Sequence, residues 1–462
     1  MITLLSVLLA FLLIHGNALS DTPDKTALNS FLNETVKRYR IPGLAVAIVN
    51  DKEILYSSGL GESSPGIGIT PETPFLLGST TKSFTALAMM QLAEAGKVEL
   101  DSAVRKYIPE FSLALPEYVD AITIRHLLNH TSGLSDKGMP YTPMGEKSLN
   151  DELILLKRCV PESAPGVRYI YFNDNYRLLG LIIERVSGMK YGEFLDSAIF
   201  RPLGMISSHA GPGGVKEPAP GNGELFGFPL RREQEYRAGA LPSGFIASSA
   251  EDIAHFLIAE LRTAKGDTGA LNPEIIKMTW QPPENIKGGY AMGWMVFDTI
   301  GKTPFLAHGG SLENYQSFFY INPQLNLGFV FLMNQGGILP MVGGFGTLRN
   351  GLIKIMDGEK PESGPGSKPV ILVIGVFILI FAFELYLTSR LKNWKKKVIL
   401  KNKWNLWGMV IVDLVISVIL LIFICKGWTM IYNLLPELFI LILIIISAGF
   451  LRGFYKTRIL LK

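Results

Sequence analysis

Three apolar runs close the chain and decide its architecture before any other feature: Val370 to Leu387, Leu406 to Cys425, and about Leu434 to Leu451. The first two approach the ~20 residues that carry an α-helix across a bilayer, and the third is close to that length. Such a tail is incompatible with a single soluble domain. Arg390, Lys392, Lys395, Lys396, Lys397, Lys401 and Lys403 follow the first run with no acidic residue among them. Arg452, Lys456, Arg458 and Lys462 follow the third, whereas Lys426 stands alone between the second and the third. Cytoplasmic segments hold the excess of Lys and Arg. The loop at 388–405 and the tail therefore read as cytoplasmic, and everything before Val370 as exported. Trp394, Trp404, Trp407 and Trp428 sit near span ends, where indoles favour the interface.

The other end agrees. Met1 to Ser20 contain no Lys, Arg, Asp or Glu and read as a signal peptide, with Ala18-Leu19-Ser20 as the cleavage site. The n-region lacks the usual basic residue, so an uncleaved N-terminal anchor is the other reading. Either one exports the residues after Ser20, and three spans that start outside end inside. From Val370 onward there are 12 basic and 3 acidic residues, which leaves 32 basic against 37 acidic before it. The exported part is thus mildly acidic and offers no basic face to nucleic acid. The basic loop answers to topology and to anionic lipid. The two cysteines, Cys159 and Cys425, are placed too differently to pair, so the domain relies on its core.

Within the exported part, Gly43 to Asn50 and Glu53 to Ser58 read as strands around an Asp51-Lys52 turn. Residues 59–74 form a loop. An amphipathic helix begins at Ser79 and is closed by Gly96. About 101–237 is mostly helical, with helices at 122–129, 150–160, 174–186 and 191–200 and an exposed Gly/Pro-rich loop at 211–228. Ser248-Ser249 cap a helix over 250–261. Strands at 303–309, 315–321 and 327–333 and a helix at 347–356 complete the domain. The pattern predicts an α+β fold: one antiparallel sheet flanked by helices, built from both ends of the domain (about 21–100 and 238–357), with a helical lobe (about 101–237) inserted. A Pro/Gly/Ser linker at 358–369 leads to the anchor at 370–462.

Chemistry centres on Ser79-Thr80-Thr81-Lys82. One helical turn puts the hydroxyl and the amine on the same face. An amine whose pKa is lowered by desolvation can take the proton of a serine and make it a nucleophile. The tetrapeptide pattern recurs at Ser187-Gly188-Met189-Lys190 and Ser389-Arg390-Leu391-Lys392, so context has to choose. Tyr171-Phe172-Asn173 precedes a helix, and His308-Gly309-Gly310 ends a strand. Tyr320-Ile321-Asn322 repeats the Tyr-x-Asn pattern inside a strand, where it reads as sheet and turn. His126 and His130 stand four apart, but no glutamate follows the first and Thr131-Ser132-Gly133 ends the helix; no metal is expected there. His130 reads as a residue satisfying loop carbonyls. Asp413, inside a span, has no partner in the sequence pattern and reads either as a proton or partner site or as a packing residue.

With Pro42 to Ala47 and Leu127-Leu128-Asn129-His130-Thr131-Ser132-Gly133-Leu134, these motifs stand in the order of a known family. The chain over about 25–356 resembles the serine β-lactamase-related family: class C β-lactamases, D-Ala carboxypeptidases, D-aminopeptidases and esterases. The resemblance implies a β-lactamase/transpeptidase-like fold and no cofactor. It implies Ser79 as acylated nucleophile and Lys82 as its base, or as the group keeping a phenol deprotonated. Tyr171 would shuttle the proton. Asn173 would bind the substrate amide and Lys82. The N–H groups of Ser79 and Ser311 would form an oxyanion hole, beside His308 and Gly310. His308 stands where the family commonly has lysine, and Gly309 where it has a hydroxyl residue. An imidazole near its ordinary value of about 6.5 is a weaker, pH-dependent anchor for a carboxylate, so strong penicillin hydrolysis is not expected.

Two function classes emerge. The first is a membrane-anchored extracytoplasmic hydrolase of D-alanyl amides or esters of the cell envelope, with membrane lipid as its other partner. The second is a β-lactam-binding sensor, or a β-lactamase with little peptidase activity. A domain acting only as scaffold is a third reading, and predicts no effect of Ser79→Ala.

Overall fold

The computed structural model describes residues 24–139, 148–214, 216–286, 289–297, 303–362, 364, 366, 368–394, 403–434 and 436–461. The expected signal peptide and much of the basic loop lie outside these residues.

An eight-stranded antiparallel sheet organises the domain. Its strands are β1 (Gly43–Val49), β2 (Ile54–Ser64), β3 (Ile67–Gly68), β4 (Tyr290–Ala291), β5 (Trp294–Phe297), β6 (Phe305–Ser311), β7 (Gln316–Asn322) and β8 (Leu327–Met333), in the order β3-β2-β1-β8-β7-β6-β5-β4. Strand β1 pairs with β8 in the register Leu44↔Met333 and Val46↔Phe331, so strands from the two ends of the domain meet at the sheet centre. Both faces of β1 are buried, which is why it is a continuous apolar run rather than an alternating one. Leu44, Val46 and Ile48 point to one core, with Phe31, Leu348 and Leu352 from helices α1 (Lys25–Tyr39) and α5 (Gly346–Met356). Ala45, Ala47 and Val49 point to the other, with Phe84 and Phe256, from helices α2 (Thr81–Glu94) and α4 (Ala250–Ala264). Small side chains on that face let α4 lie close to β1.

Several expectations change. Helix α2 is not amphipathic: Thr81 to Met90 are all buried. It runs between the sheet and the helical lobe, and its hydroxyls reach neighbouring carbonyls. Ser83 donates to Gly293 O at 2.9 Å and Thr85 to Pro242 O at 2.6 Å. The 211–228 segment is not simply an exposed loop. Asn222–Leu225 pairs with Phe228–Arg231 as a hairpin, and Asn222 is buried, its side chain donating to Asn334 O at 2.9 Å. Helix α1 and strands β4 and β5 carry no strong sequence signal. The lobe includes α3 (Asn173–Ser187), ended by Gly188 in the left-handed conformation, and short helices at Ile124–Leu128, Leu149–Leu156 and Tyr191–Leu195. Ser249 caps α4 by accepting the N–H of Asp252.

At the C-terminus lie helices α6 (Lys368–Ser389), α7 (Lys403–Leu434) and α8 (Pro436–Leu460). Two stretches, Val370–Lys392 and Pro436–Leu460, are long and apolar enough to cross a membrane. The described apolar stretch of α7, Leu406–Ile422, is shorter. Asp413 has partners that sequence spacing hides: Lys456 at 2.5 Å and Arg452 at 3.5 Å, and Arg452 also meets Glu384, so three helices share one ion-pair group.

One buried acid has a consequence for stability. Glu260 of α4 is 1% exposed and accepts from Trp280 Nε1 at 3.1 Å. Burial pushes its carboxyl up to about 8, with the Trp280 and Trp294 hydrogen bonds opposing. The folded state therefore holds a proton that the unfolded chain releases near pH 4.5. The stability from this group is complete below that value, falls as pH rises, and is lost above about pH 8. Glu260→Gln is expected to stabilise the domain relative to wild type by a few kcal/mol at pH 9, on the order of 3, and to change little at pH 4. Thermal unfolding measured by near-UV circular dichroism at the two pH values checks this.

Candidate active site

Gly78 creates the geometry around Ser79. With φ of +59°, it turns the chain from Leu77 into a short 3-10 turn (Gly78–Thr80) that runs into α2. A Cβ on Gly78 would stand 2.6 Å from Ser311 N, so only glycine lets this turn meet the end of β6. Gly310 is equally tight: a Cβ there would meet Leu77 O at 2.0 Å and Ser317 Oγ at 2.2 Å. The turn is fastened by Thr80, whose hydroxyl donates to Leu77 O at 2.9 Å and lies 2.8 Å from Ser317 Oγ. The backbones of Ser79 and Ser311 are thus held side by side.

Lys82 lies one turn along α2 and is completely buried. Its Nζ is 3.1 Å from Ser79 Oγ, 2.9 Å from Asn173 Oδ1 and 2.7 Å from Ser243 O. Burial lowers its pKa well below the ordinary lysine value, and the Arg177 charge adds to this. A neutral amine has two N–H bonds and one lone pair. Once the amine has lost a proton, the carbonyls of Asn173 and Ser243 can take its two remaining hydrogens and leave the lone pair for the Ser79 hydroxyl.

Tyr171 hydrogen-bonds Ser79 and stands at the mouth, 37% exposed, with Lys82 Nζ 5.0 Å from its ring centre. Burial of its hydroxyl raises its pKa far above the ordinary value, the Ser79 hydroxyl opposing. The two shifts run in opposite directions, up for the phenol and down for the amine.

His308 lies on β6. It is 2% exposed. Its Nδ1 donates to Gly309 O at 2.9 Å, and Nε2 accepts from Tyr290 OH at 3.1 Å. Burial first, and the Lys82 charge second, push it down to about 3, the Gly309 carbonyl opposing. A neutral imidazole at this position would bring no charge to a substrate carboxylate.

His130 also differs from expectation. It adopts φ of +55°, and its Nδ1 accepts from Asn175 Nδ2 at 3.0 Å and from the Phe172 N–H at 3.3 Å, rather than serving loop carbonyls. Its ring lies 4.4 Å from that of Tyr171 and 4.7 Å from that of Tyr290. It thereby holds the segment that presents Tyr171 and Asn173. His126 has a separate task, its Nδ1 accepting the Thr123 N–H at a helix start.

The other Ser-x-x-Lys copies do not form such a pair. Ser187 donates to Ile183 O at a helix end, and Ser389 donates to Tyr386 O. Sequence reasoning missed the Ser243 carbonyl and the rings of Tyr176 and Tyr290. Backbone acceptors have no residue signature, and aromatic side chains in core and cleft look alike in a sequence.

The family profile described as Beta-lactamase matches residues 28–342. Protein flp of Staphylococcus aureus (strain NCTC 8325 / PS 47) is 28% identical over 313 residues, covering 66% of this chain and 62% of flp. This chain thus spans less than two thirds of that relative's length. Penicillin-binding protein 4 of Amycolatopsis lactamdurans is 26% identical over 324 residues, covering 64% of this chain and 82% of that protein. Among solved structures, the octameric penicillin-binding protein homologue from Pyrococcus abyssi superposes with a TM-score of 0.61 at 28% identity, covering 73% of this chain and 78% of that one.

Proposed function

The chain belongs to the beta-lactamase family, and from that premise we propose that it is a serine hydrolase working through an acyl-enzyme on Ser79. Its substrates are D-alanyl amides or esters of the cell envelope. The three C-terminal helices hold it in a membrane, with the catalytic domain outside. The observation that carries the chemistry is the contact of the buried Lys82 amine, whose pKa burial lowers, with Ser79 Oγ at 3.1 Å.

Ser79 Oγ attacks the substrate carbonyl while Lys82 takes its proton. The Ser79 and Ser311 N–H groups receive the oxyanion, a role in which one donor contributes about 3 kcal/mol. Asn173 binds Lys82 through its carbonyl and has its amide free for the substrate. The departing group collects a proton from Tyr171, which regains it from Lys82. Water then repeats the sequence on the ester and frees Ser79.

The neutral His308 favours substrates that do not depend on a charged anchor at that position. Full-length protein in nanodiscs should therefore turn over a D-alanyl ester or an acyl-D-Ala-D-Ala peptide faster than a penicillin or cephalosporin. Steady-state assays on such a panel test this reading. Hydrolysis of the β-lactam as the best substrate would overturn it, and a permanent penicillin adduct would favour the sensor.

A further inference from the structure

The 222–231 hairpin ends in an unusual turn. Its tip residues are Phe226 (φ +49°) and Gly227 (φ +78°), both left-handed. Such two-residue turns favour Asn or Asp followed by Gly. A phenylalanine there is strained by about 1 kcal/mol, and strain of this kind calls for a use of the aromatic ring. Phe226 packs edge-on against Phe377 of α6, ring centres 5.2 Å apart, and its N–H is received by Glu437 at the start of α8. Gly227 lies against Val370. The tip thus meets α6 and α8 at the end where both read as leaving the outer side of a membrane, opposite the basic residues Arg390, Lys392 and Arg458.

Exposed apolar side chains continue from this tip. Phe228 (55% exposed) and Leu230 (49%) share one face of the hairpin. Arg40 lies 4.5 Å above the Phe228 ring. Arg231 donates to Ser63 O at 2.9 Å and so ties the hairpin to the β2–β3 turn, where Ile67 is 60% exposed. On the other side, Met341 and Val342 are exposed beside Gly343, which packs on Tyr39, and the Tyr39 hydroxyl accepts the Gly366 N–H just before α6 begins. Five large apolar side chains from three chain segments are therefore exposed around the hairpin tip that meets α6, with a guanidinium among them. An aqueous surface gains nothing from this, whereas an interface between headgroups and acyl chains accepts both kinds of group.

We propose that Ile67, Phe226, Phe228, Leu230, Met341 and Val342 form a face that inserts into the outer leaflet of the membrane the chain spans. The catalytic domain then rests on the bilayer in one orientation and does not swing on the 358–369 linker. The proposal rests on the membrane anchoring proposed above, and the test separates the two.

The test uses the full chain in vesicles of phosphatidylglycerol and phosphatidylethanolamine. Cys425 is replaced by alanine, Cys159 stays buried and unlabelled, and a cysteine introduced by Phe228→Cys, Ile67→Cys or, as a control, Ile206→Cys carries an environment-sensitive fluorophore. Labels at 228 and 67 are expected to shift to the blue and to be quenched by nitroxide lipid several-fold more than the label at 206. Adding Phe228→Asp and Leu230→Asp should remove the quenching at 67. A chain that resists alkaline carbonate extraction but shows equal, weak quenching at all three positions overturns the docking alone. A chain released by carbonate overturns the anchor, and the docking with it.

Discussion

Ser79→Ala is expected to reduce turnover of every substrate by a factor on the order of 10⁴ to 10⁶, the cost of removing a nucleophile from a working assembly. In the proposed chemistry the Ser79 oxygen forms the covalent bond, and its neighbours are held differently. The Thr80 hydroxyl is buried and donates to Leu77 O. Ser311 ends β6 and is proposed to act through its backbone N–H. The fold should survive, because the Ser79 side chain fastens nothing except its contacts with Lys82 and Tyr171. Unchanged melting together with lost hydrolysis is the expected pair of results. Equal hydrolysis by wild type and variant would place the chemistry elsewhere.

Lys82→Met is the second large effect. It keeps the buried volume and removes the proton acceptor, so a loss in kcat of about 10² to 10⁴ is expected from general-base catalysis alone. It also leaves the carbonyls of Asn173 and Ser243 without donors, at about 1–3 kcal/mol for each buried group, so the variant should melt below wild type. The pH profile gives the sharper result. Because burial lowers the pKa of Lys82, the wild type should lose activity as pH falls through that lowered value, where the amine gains a proton and can no longer accept one. In Lys82→Met the acid limb should disappear from the residual rate. His308 stays neutral until about pH 3 and cannot produce that limb near neutrality. An acid limb that persists in Lys82→Met would assign it to another group.

How legible the molecule was depended on what each signal measures. The central sheet could be read because β1, β7 and β8 are apolar β-prone runs bounded by turn residues, and α4 because Ser249 caps it. Strands β4 and β5 could not: two and four residues long, they are shorter than any periodicity. Helix α2 looked amphipathic because its threonines and serines read as polar, whereas in the interior their hydroxyls bond to carbonyls brought by distant segments. The pairing of Ser79 with Lys82 is local and comes from helical spacing. The approach of Tyr171 and Asn173 is not local, and only the family resemblance suggested it. His308 shows the limit most clearly. Its position at the end of a strand was visible, but the burial and the nearby Lys82 that lower its pKa are brought by the fold, which no single sequence displays. The pairing of Asp413 with Arg452 and Lys456 joins residues about forty positions apart, well beyond any helical repeat.

Covalent capture of substrate by one hydroxyl is the step on which the proposed chemistry stands. Its most direct test is to mix full-length protein with an activated D-alanyl ester, quench with acid within the first turnover, and locate the added mass by peptide mapping. The acyl group is expected on the peptide containing Ser79, in an amount that rises and decays at the rate of product release. Hydrolysis that proceeds with no acyl group on that peptide, or with the group on another side chain, would contradict it.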